Sequence, residues 1–293
     1  MKKRSLLAVP LILFCLVAVA FAGDLPWEMK LPFKQATIRY ELKGSQQGTE
    51  TLYVKDYGKI RAKHHTSSAT IMGMAKKSDT IEITDPDWVT TYDLIEKTGE
   101  KVTNPTKLYL AEYNKFNSEE KRNFEKNSKE LGASMMGKFG GSIKQKSAQH
   151  LGYDCDVSSI NGMSTVYLLH GSDIPLRSEV SVMGMANSIN ATTVDTNATI
   201  QDSVFMPPAG ITATSNQEAE SMMTETIKHT MDTLKRPDGA KAMQQMGSPM
   251  MPVGPMDEQG MEDGGPMTKE EHAQMMKEME AAMERMKRMK PQQ

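Results

Sequence analysis

The side chains with the most distinctive chemistry are thioethers near the C-terminus. Sixteen of the 26 methionines lie between Met222 and Met289, and several recur at spacings of three and four. The most regular set, with one histidine before it, is His272, Met276, Met279, Met283, Met286 and Met289. Soft sulfur ligands select Cu(I), so one interpretation is a Cu(I) or other soft-metal site. The spacing also builds a flexible apolar helix seam, for which docking or recruitment of a cell-envelope protein are the competing interpretations.

Two further methionine pairs lie in the body of the chain, at Met72-Gly73-Met74 and Met183-Gly184-Met185. On a strand, residues i and i+2 point to one face, so each pair presents two thioethers together. Because thioethers adapt to irregular apolar surfaces, we expect both pairs to line a cavity for an apolar ligand, with ordinary core packing as the alternative. Four more side chains are expected at this cavity or in the core: Trp88, Tyr92, Tyr167 and Leu169.

Catalytic patterns are not recognisable in the sequence, which has no Ser-His-Asp order, no metal-spaced His/Cys cluster and no glycine-rich phosphate loop. His64 and His65 are adjacent, and neighbours on a strand point to opposite faces. We therefore predict two surface histidines rather than a chelating pair. The expectation is a non-enzymatic protein without catalytic residues and, outside the Cu(I) interpretation, without a cofactor.

The N-terminus predicts export. Lys2, Lys3 and Arg4 precede an apolar run at 6–21, and Ala20-Phe21-Ala22 is an A-x-A cleavage site. The run is short for a membrane span, so we predict a signal peptide over 1–22 and a periplasmic product without a transmembrane span. Cleavage lowers the basic residues from 35 to 32 against 37 acidic ones. This acidic balance argues against a nucleic-acid partner, since phosphate binding needs a basic surface.

Alternating apolar and polar residues between turn signals predict the elements that position these side chains. The predicted strands are 35–42, 49–55, 59–65, 69–76, 79–84, 88–95, 153–160, 163–170, 176–183 and 186–195. One helix, at about 118–136 with Asn117 as its cap, interrupts this antiparallel sheet. A second begins at the capping box formed by Ser215 and Glu218 and ends at about Arg236. The fold class is mainly β with helices (α+β).

The same patterns divide the chain into segments. In order, they are a signal peptide at 1–22, an N-terminal segment at 23–34, a β domain at 35–213, a helix at 214–236, a Gly/Pro/Met-rich linker at 237–267 and a methionine-rich amphipathic helix at 268–293. Cys155 is the one cysteine that remains after cleavage, and we expect it to be buried in a strand.

Four short motifs in the β domain carry a family resemblance. They are Gly152-Tyr153-Asp154-Cys155, Val166-Tyr167-Leu168, Ile174-Pro175-Leu176-Arg177-Ser178-Glu179 and Phe205-Met206-Pro207-Pro208-Ala209-Gly210. In this order they resemble the Lol-type periplasmic lipoprotein carriers and, more closely, an uncharacterised family of exported bacterial proteins related to them.

The resemblance covers about 35–213 and implies a curved, antiparallel, half-open β-barrel with a plugging helix and an apolar cavity. The carriers bind acyl chains in that cavity, so it also implies an apolar small molecule or lipid as the ligand. The carriers depend on an arginine on an early strand. Arg39 and Arg61 both lie on early strands here, and neither is assigned that role.

Overall fold

The computed structural model describes residues 31–71, 74–138, 140–160, 163–182 and 185–245. The chain divides into two units, Met1–Pro249 and Met250–Gln293, and every element below belongs to the first. The predicted signal peptide at 1–22 and the predicted methionine-rich helix at 268–293, with its candidate metal ligands, lie outside the described residues. The same holds for most of the predicted linker.

Twelve strands form one sheet in the described part of the chain. They are β1 (Ala36–Gly44), β2 (Gln46–Lys55), β3 (Ile60–Ile71), β4 (Met74–Thr84), β5 (Trp88–Asp93), β6 (Thr98–Thr103), β7 (Gly141–His150), β8 (Tyr153–Ile160), β9 (Ser164–Leu169), β10 (Pro175–Val182), β11 (Met185–Asp195) and β12 (Ala213–Ser215). Their order is β12-β6-β5-β4-β3-β2-β1-β11-β10-β9-β8-β7. Two meanders, β1–β6 and β7–β11, therefore meet where β1 pairs with β11.

The broad α+β prediction is confirmed, with two differences. The sheet is mixed rather than purely antiparallel, because β12 pairs in parallel with β6. In the described ranges its outer strands β12 and β7 do not pair with each other, so the sheet is not closed into a barrel.

Hairpin connections agree with the sequence in one place and disagree in another. The predicted hairpin around Asn161-Gly162 is confirmed by the pairing of β8 with β9. The predicted strand at 69–76 is wrong, because Ile71 ends β3 and pairs with Met74, which begins β4. Val182 and Met185 pair in the same way between β10 and β11. The predicted break between the strands at 176–183 and 186–195 agrees with this second reversal, whereas the apolar alternation continues across the first, so the pattern did not reveal that one.

Four α-helices accompany the sheet: α1 (Pro105–Tyr113), α2 (Ser118–Lys138), α3 (Gln217–Leu234) and α4 (Gly239–Gln245). The predicted cap of α2 is confirmed. The Asn117 side-chain oxygen accepts hydrogen bonds from the amides of Glu119 (2.9 Å) and Glu120 (3.0 Å). In turn, the Glu120 carboxylate accepts a hydrogen bond from the Asn117 backbone amide at 2.9 Å, which completes a capping box.

The other helix predictions need correction. Ser215 pairs with Lys101 in the sheet, so α3 begins one residue later than predicted and Asn216 is its cap, accepting from the Ala219 amide at 3.0 Å. Helix α1 was not predicted, and α4 lies in the predicted linker. A helix as short as α4 has too few apolar residues to show a helical period.

Three clusters of buried side chains hold the body together. The first lies on one face of the sheet and includes Ile38, Val54, Cys155, Leu176 and Ala191. The second belongs to the helices and centres on Phe116, Phe124, Ile227, Met231 and Leu234. The third packs Ala62, Ile83 and Tyr92 against Val204, Phe205 and Ile211 from the segment after β11. Cys155 is buried in a strand as predicted.

The sheet curls around its first cluster. His150 on β7 places Nε2 2.9 Å from the Ala191 carbonyl oxygen on β11, although β8, β9 and β10 lie between these strands. Arg61 on β3 donates two hydrogen bonds, of 2.7 and 2.9 Å, to the carboxylate of Asp173 in the β9–β10 connection. Contacts between strands so far apart in the sheet order require the sheet to curve strongly, with one of its faces on the concave side.

Candidate functional site

Five connections between strands gather at one end of the sheet. Every second strand of this antiparallel part of the sheet runs in the same direction. The C-terminal ends of β5, β3, β1, β10 and β8, taken in sheet order, therefore lie at the same end of the sheet. We call this the hairpin end, defined by the last residues of these five strands and the first residues of β2, β4, β6, β9 and β11. Met74 and Met185 begin β4 and β11 there. The hairpin end therefore collects segments that are distant in sequence.

An open groove of about 550 Å³ lies at the hairpin end, between the ends of β1, β8, β9, β10 and β11. Its apolar lining consists of Ile160, Met163, Val180 and Ala186, and Lys43 and Glu179 are its charged residues. Met163 is 48% exposed and Val180 38%. Large apolar side chains that are exposed to solvent at a concave surface are typical of a binding site.

Backbone contacts fix the walls of this groove. The Met163 amide donates to the Ile160 carbonyl at 3.0 Å, and the Met163 carbonyl accepts from Ser181 on β10 at 2.7 Å. Gly44, with φ of +119°, brings the end of β1 close to β11, and a Cβ there would lie 1.9 Å from the Ala186 carbonyl oxygen. No L-residue fits this approach. Met163 is thus held in place rather than carried on a free loop.

The charges of the groove are held by local partners at the surface. Lys43 Nζ lies 2.9 Å from the Glu41 carboxylate, and Glu179 accepts from the Arg177 guanidinium at 2.5 and 3.1 Å. Exposed pairs of this kind contribute roughly 0–1 kcal/mol. Breaking these ion pairs to form contacts with the polar group of a ligand therefore costs little free energy.

The predicted cavity residues are not brought together. Tyr92 is buried in the third cluster, and Trp88 lies half-buried with Lys101 Nζ 4.5 Å from its ring centre. Tyr167 and Leu169 pack in the first cluster. Met72 and Met183 lie outside the described residues, while Met74 and Met185 begin strands at the hairpin end. Met74 and Met185 start new strands, because Ile71 pairs with Met74 and Val182 pairs with Met185.

A polar chain on β2 and β3 was missed by the sequence reasoning. His65 Nδ1 lies 3.0 Å from the Glu50 carboxylate and its Nε2 lies 3.0 Å from Ser67 Oγ, which also accepts from Gln46 Nε2 at 2.6 Å. The prediction that His65 is a surface residue is wrong, because its side chain is 17% exposed. Residues two apart on a strand share a face, so the spacing of His65 and Ser67 in the sequence already predicts that these two side chains lie together.

Ser67, His65 and Glu50 are linked in the order of a nucleophile, a general base and an acid that orients the base. They do not form an accessible active site. Ser67 is 6% exposed, and the Gln46 amide already occupies its hydroxyl oxygen. The nearby Tyr40 is also buried, and burial raises the pKa of its hydroxyl, with the Glu50 carboxylate adding to the effect. We assign these groups to packing of the inner face, which leaves the groove as the best candidate site.

Among the residues that the structure describes, no three His, Cys, Asp or Glu side chains cluster as a metal site would require. None of the helices within these ranges is long and apolar enough to cross a membrane.

Comparison with known proteins does not show a family for this chain. No family model matches it, and no curated protein does. Among solved structures, an uncharacterised conserved protein from Thermus thermophilus is similar over 63% of this chain and 92% of its own, with 7% identity and a TM-score of 0.38. One crystal form of PNGF-II is similar over 66% of this chain, with 11% identity and a TM-score of 0.33, but the chain spans only 33% of that protein. Likenesses this distant do not bear on function.

Proposed function

We propose that this chain is a non-enzymatic periplasmic protein that binds an apolar ligand, a lipid or acyl chain, in the groove at the hairpin end. The observation that carries the proposal is the exposure of Met163 (48%) and Val180 (38%) inside a concave surface of about 550 Å³. Water covers these side chains in the free protein, so covering them with an acyl chain is favourable. Pockets for small ligands commonly measure about 300–1,000 Å³.

The groove suits a ligand with a long apolar part and one polar group. Ile160, Met163, Val180 and Ala186 offer the apolar lining, and Met163 adapts its shape because its side chain is unbranched. Lys43 provides an ammonium group for a carboxylate or phosphate. Burial of each methylene contributes about 0.8 kcal/mol, so each added methylene tightens binding about fourfold until the groove is full.

The proposal includes the half-open barrel and plugging helix that the resemblance implies. The contacts of His150 with Ala191 and of Arg61 with Asp173 support strong curvature of the sheet. Helix α3 contacts β6 near one edge of the sheet, α2 contacts β7 at the other, and the two helices contact each other. A helical layer that spans the two edges is the arrangement expected of a plug.

Fatty-acid binding tests the groove directly. Isothermal titration of the mature chain with saturated fatty acids, from lauric to stearic, is expected to show affinity that rises with chain length. Met163→Asp places a charge in the apolar lining and is expected to weaken binding at least tenfold. Met222→Asp, at an α3 residue that is 65% exposed, is the matched control and leaves affinity unchanged. If no fatty acid binds or raises the melting temperature, the proposal is wrong.

A further inference from the structure

The sequence contains the motif Asn-x-Thr three times, at Asn104-Pro105-Thr106, Asn190-Ala191-Thr192 and Asn197-Ala198-Thr199. In exported proteins, Asn-x-Ser or Asn-x-Thr is the acceptor motif for N-linked glycans when x is not proline, and the acceptor lies on a surface loop. The motif alone excludes only the first of the three, because its middle residue is Pro105. The fold distinguishes the other two.

The motif at Asn190 is held inside the sheet. Asn190 lies on β11, which pairs with β1 on one side and with β10 on the other. Ala191 is 1% exposed, and the Thr192 hydroxyl donates a hydrogen bond to the Arg39 carbonyl at 3.1 Å. A strand that is paired on both sides cannot enter an enzyme without breaking both ladders of hydrogen bonds. This motif is therefore not an accessible acceptor.

The motif at Asn197 lies outside the sheet and is open to solvent. Strand β11 ends at Asp195, and residues 196–201 form neither helix nor strand. Asn197 and Thr199 are both exposed. Among the residues that the structure describes, none pairs with the Asn197 side-chain amide or with the Thr199 hydroxyl. The two groups that an acceptor motif must present are therefore free to bind an enzyme.

Two hydrogen bonds direct the chain away from the sheet at this point. The Asp195 carboxylate accepts from the Asn197 backbone amide at 2.9 Å, and Gln35 Nε2 donates to the Ala198 carbonyl at 2.9 Å. Both are made to backbone groups of the motif, so its side chains stay unengaged. The Asp195 carboxylate is exposed and forms no ion pair within the described ranges, so its charge is available to a basic group of an enzyme.

We propose that Asn197 is the acceptor of an N-linked glycan. The donor is an oligosaccharide carried on a polyprenyl diphosphate, and an oligosaccharyltransferase catalyses the transfer. The Asn197 amide nitrogen forms a bond to the anomeric carbon of the first sugar, while the bond from that carbon to the diphosphate oxygen breaks. Polyprenyl diphosphate leaves with the bonding electron pair, and the amide nitrogen gives up one proton. The Thr199 hydroxyl binds the transferase and holds the motif in place.

The modification rests on the export that is part of the proposed function, but it does not depend on the groove. Asp195 pairs with Thr37 near the start of β1, whereas the groove is lined by Lys43 and Gly44 at the end of the same strand. A glycan at Asn197 therefore leaves the groove open. It adds a bulky, hydrated group to the opposite end of the sheet.

Expression in a periplasm that carries out N-linked glycosylation tests the proposal. The full chain, including residues 1–22, is produced in cells that hold an oligosaccharyltransferase and its polyprenyl-diphosphate-linked oligosaccharide. Intact mass spectrometry is expected to show the mature chain with the mass of one oligosaccharide added, and fragmentation of the modified peptide is expected to place the sugar on Asn197. The same chain from cells without the transferase is the unmodified reference.

Four substitutions identify the acceptor. Asn197→Gln moves the amide by one methylene and Thr199→Ala removes the hydroxyl, and each is expected to abolish the added mass. Thr199→Ser keeps the hydroxyl and is expected to retain it. Thr192→Ala makes the same change as Thr199→Ala in the motif that the sheet holds, and it is also expected to retain the added mass. Thermal melts establish that each variant is folded.

The outcomes separate the modification from the proposed function. A mature chain without added mass refutes the glycosylation alone. Added mass that survives Asn197→Gln, or that is lost in Thr192→Ala, overturns the assignment to Asn197. A chain that keeps residues 1–22 and carries no sugar refutes the export and the modification together. Failure of fatty acids to bind both the glycosylated and the unmodified protein refutes the groove alone.

Discussion

Replacing Asp156 with asparagine is expected to destabilise the protein by about 3 kcal/mol. The Asp156 side chain is 4% exposed. Its carboxylate accepts from the Lys146 amide at 2.9 Å and from His170 Nδ1 at 2.7 Å, with a longer contact of 3.4 Å from the Gly171 amide. Lys146 has a φ of +46° where the register of β7 against β8 shifts. The carboxylate therefore holds an irregular part of β7 to the residues that follow β9.

The magnitude follows from the two short contacts. Hydrogen bonds to a charged group contribute about 1.5–3 kcal/mol each, and an unpaired buried donor costs about 1–3 kcal/mol. Both short contacts are made to Oδ1, which the asparagine keeps as a neutral acceptor, whereas the amide group that replaces Oδ2 faces the Gly171 amide, which loses its acceptor. Conversion of the two charge-assisted bonds into neutral ones costs about 1 kcal/mol each, and the unpaired Gly171 amide costs about 1 kcal/mol more, which together give about 3 kcal/mol.

The same residue predicts a dependence on pH. Burial by itself would raise the pKa of Asp156, but hydrogen bonds from Lys146, His170 and Gly171 outweigh it and lower the pKa. The unfolded value is about 3.9. Because the folded pKa is lower, the stability that Asp156 contributes is present above about pH 4 and is lost as the pH falls through the folded pKa. The asparagine variant does not titrate and loses this part of the acid sensitivity.

Urea denaturation followed by tryptophan fluorescence, at pH 7 and in steps toward pH 2.5, measures both effects. Asp154→Asn is the matched control, since the Asp154 carboxylate is exposed and accepts one side-chain hydrogen bond, from Gln149 at 2.9 Å. Asp154→Asn is expected to lower the free energy of unfolding by less than about 1 kcal/mol. Equal stability of the two variants at pH 7, with parallel acid profiles, would refute the reasoning.

Two further substitutions test the helices and the inner face. Asn127→Ala is expected to cost about 2–3 kcal/mol in chemical denaturation, because the buried Asn127 amide donates to the Leu234 (2.8 Å) and Arg236 (2.6 Å) carbonyls at the end of α3. Asn123→Ala, which removes a single bond of 3.2 Å one turn earlier, should cost less than about 1 kcal/mol, and a reversed order would contradict this account. Tyr40→Phe is expected to change the free energy of unfolding by less than about 0.5 kcal/mol, since the Tyr40 hydroxyl is buried without a hydrogen-bond partner in the described ranges. A cost above about 1.5 kcal/mol in the same assay would show that this hydroxyl has a partner.

Local signals were enough to predict several elements. Asn117 with acidic residues after it located the start of α2, and Asn161-Gly162 between two alternating runs located the β8–β9 hairpin. Met223, Ile227, Met231 and Leu234 recur at helical spacing, and they form the packed face of α3. In each case the residues that carry the signal are close in sequence to the structure they specify.

The candidate site could not be predicted in the same way. Lys43, Met163, Val180 and Ala186 meet at the groove because β1 lies beside β11, an arrangement that no local pattern encodes. The strand prediction at 69–76 was wrong for a related reason. A strand and a hairpin share the alternation of apolar and polar residues, so the sequence around Gly73 fits both until the partner strand is known.

The pairing of β1 with β11 has a consequence for how the chain acquires its structure. Each meander joins strands that are neighbours in sequence, whereas the pairing of Thr37 with Asp195 joins residues at the two ends of the long segment that contains both meanders. Closing so long a loop is slow, because the entropy is lost before the contacts form. Until that step one side of β1, with Ile38 and Leu42, remains an unpaired edge. An unpaired strand edge is a template for pairing with another chain, so mutations that weaken β11 are expected to reduce the yield of folded protein.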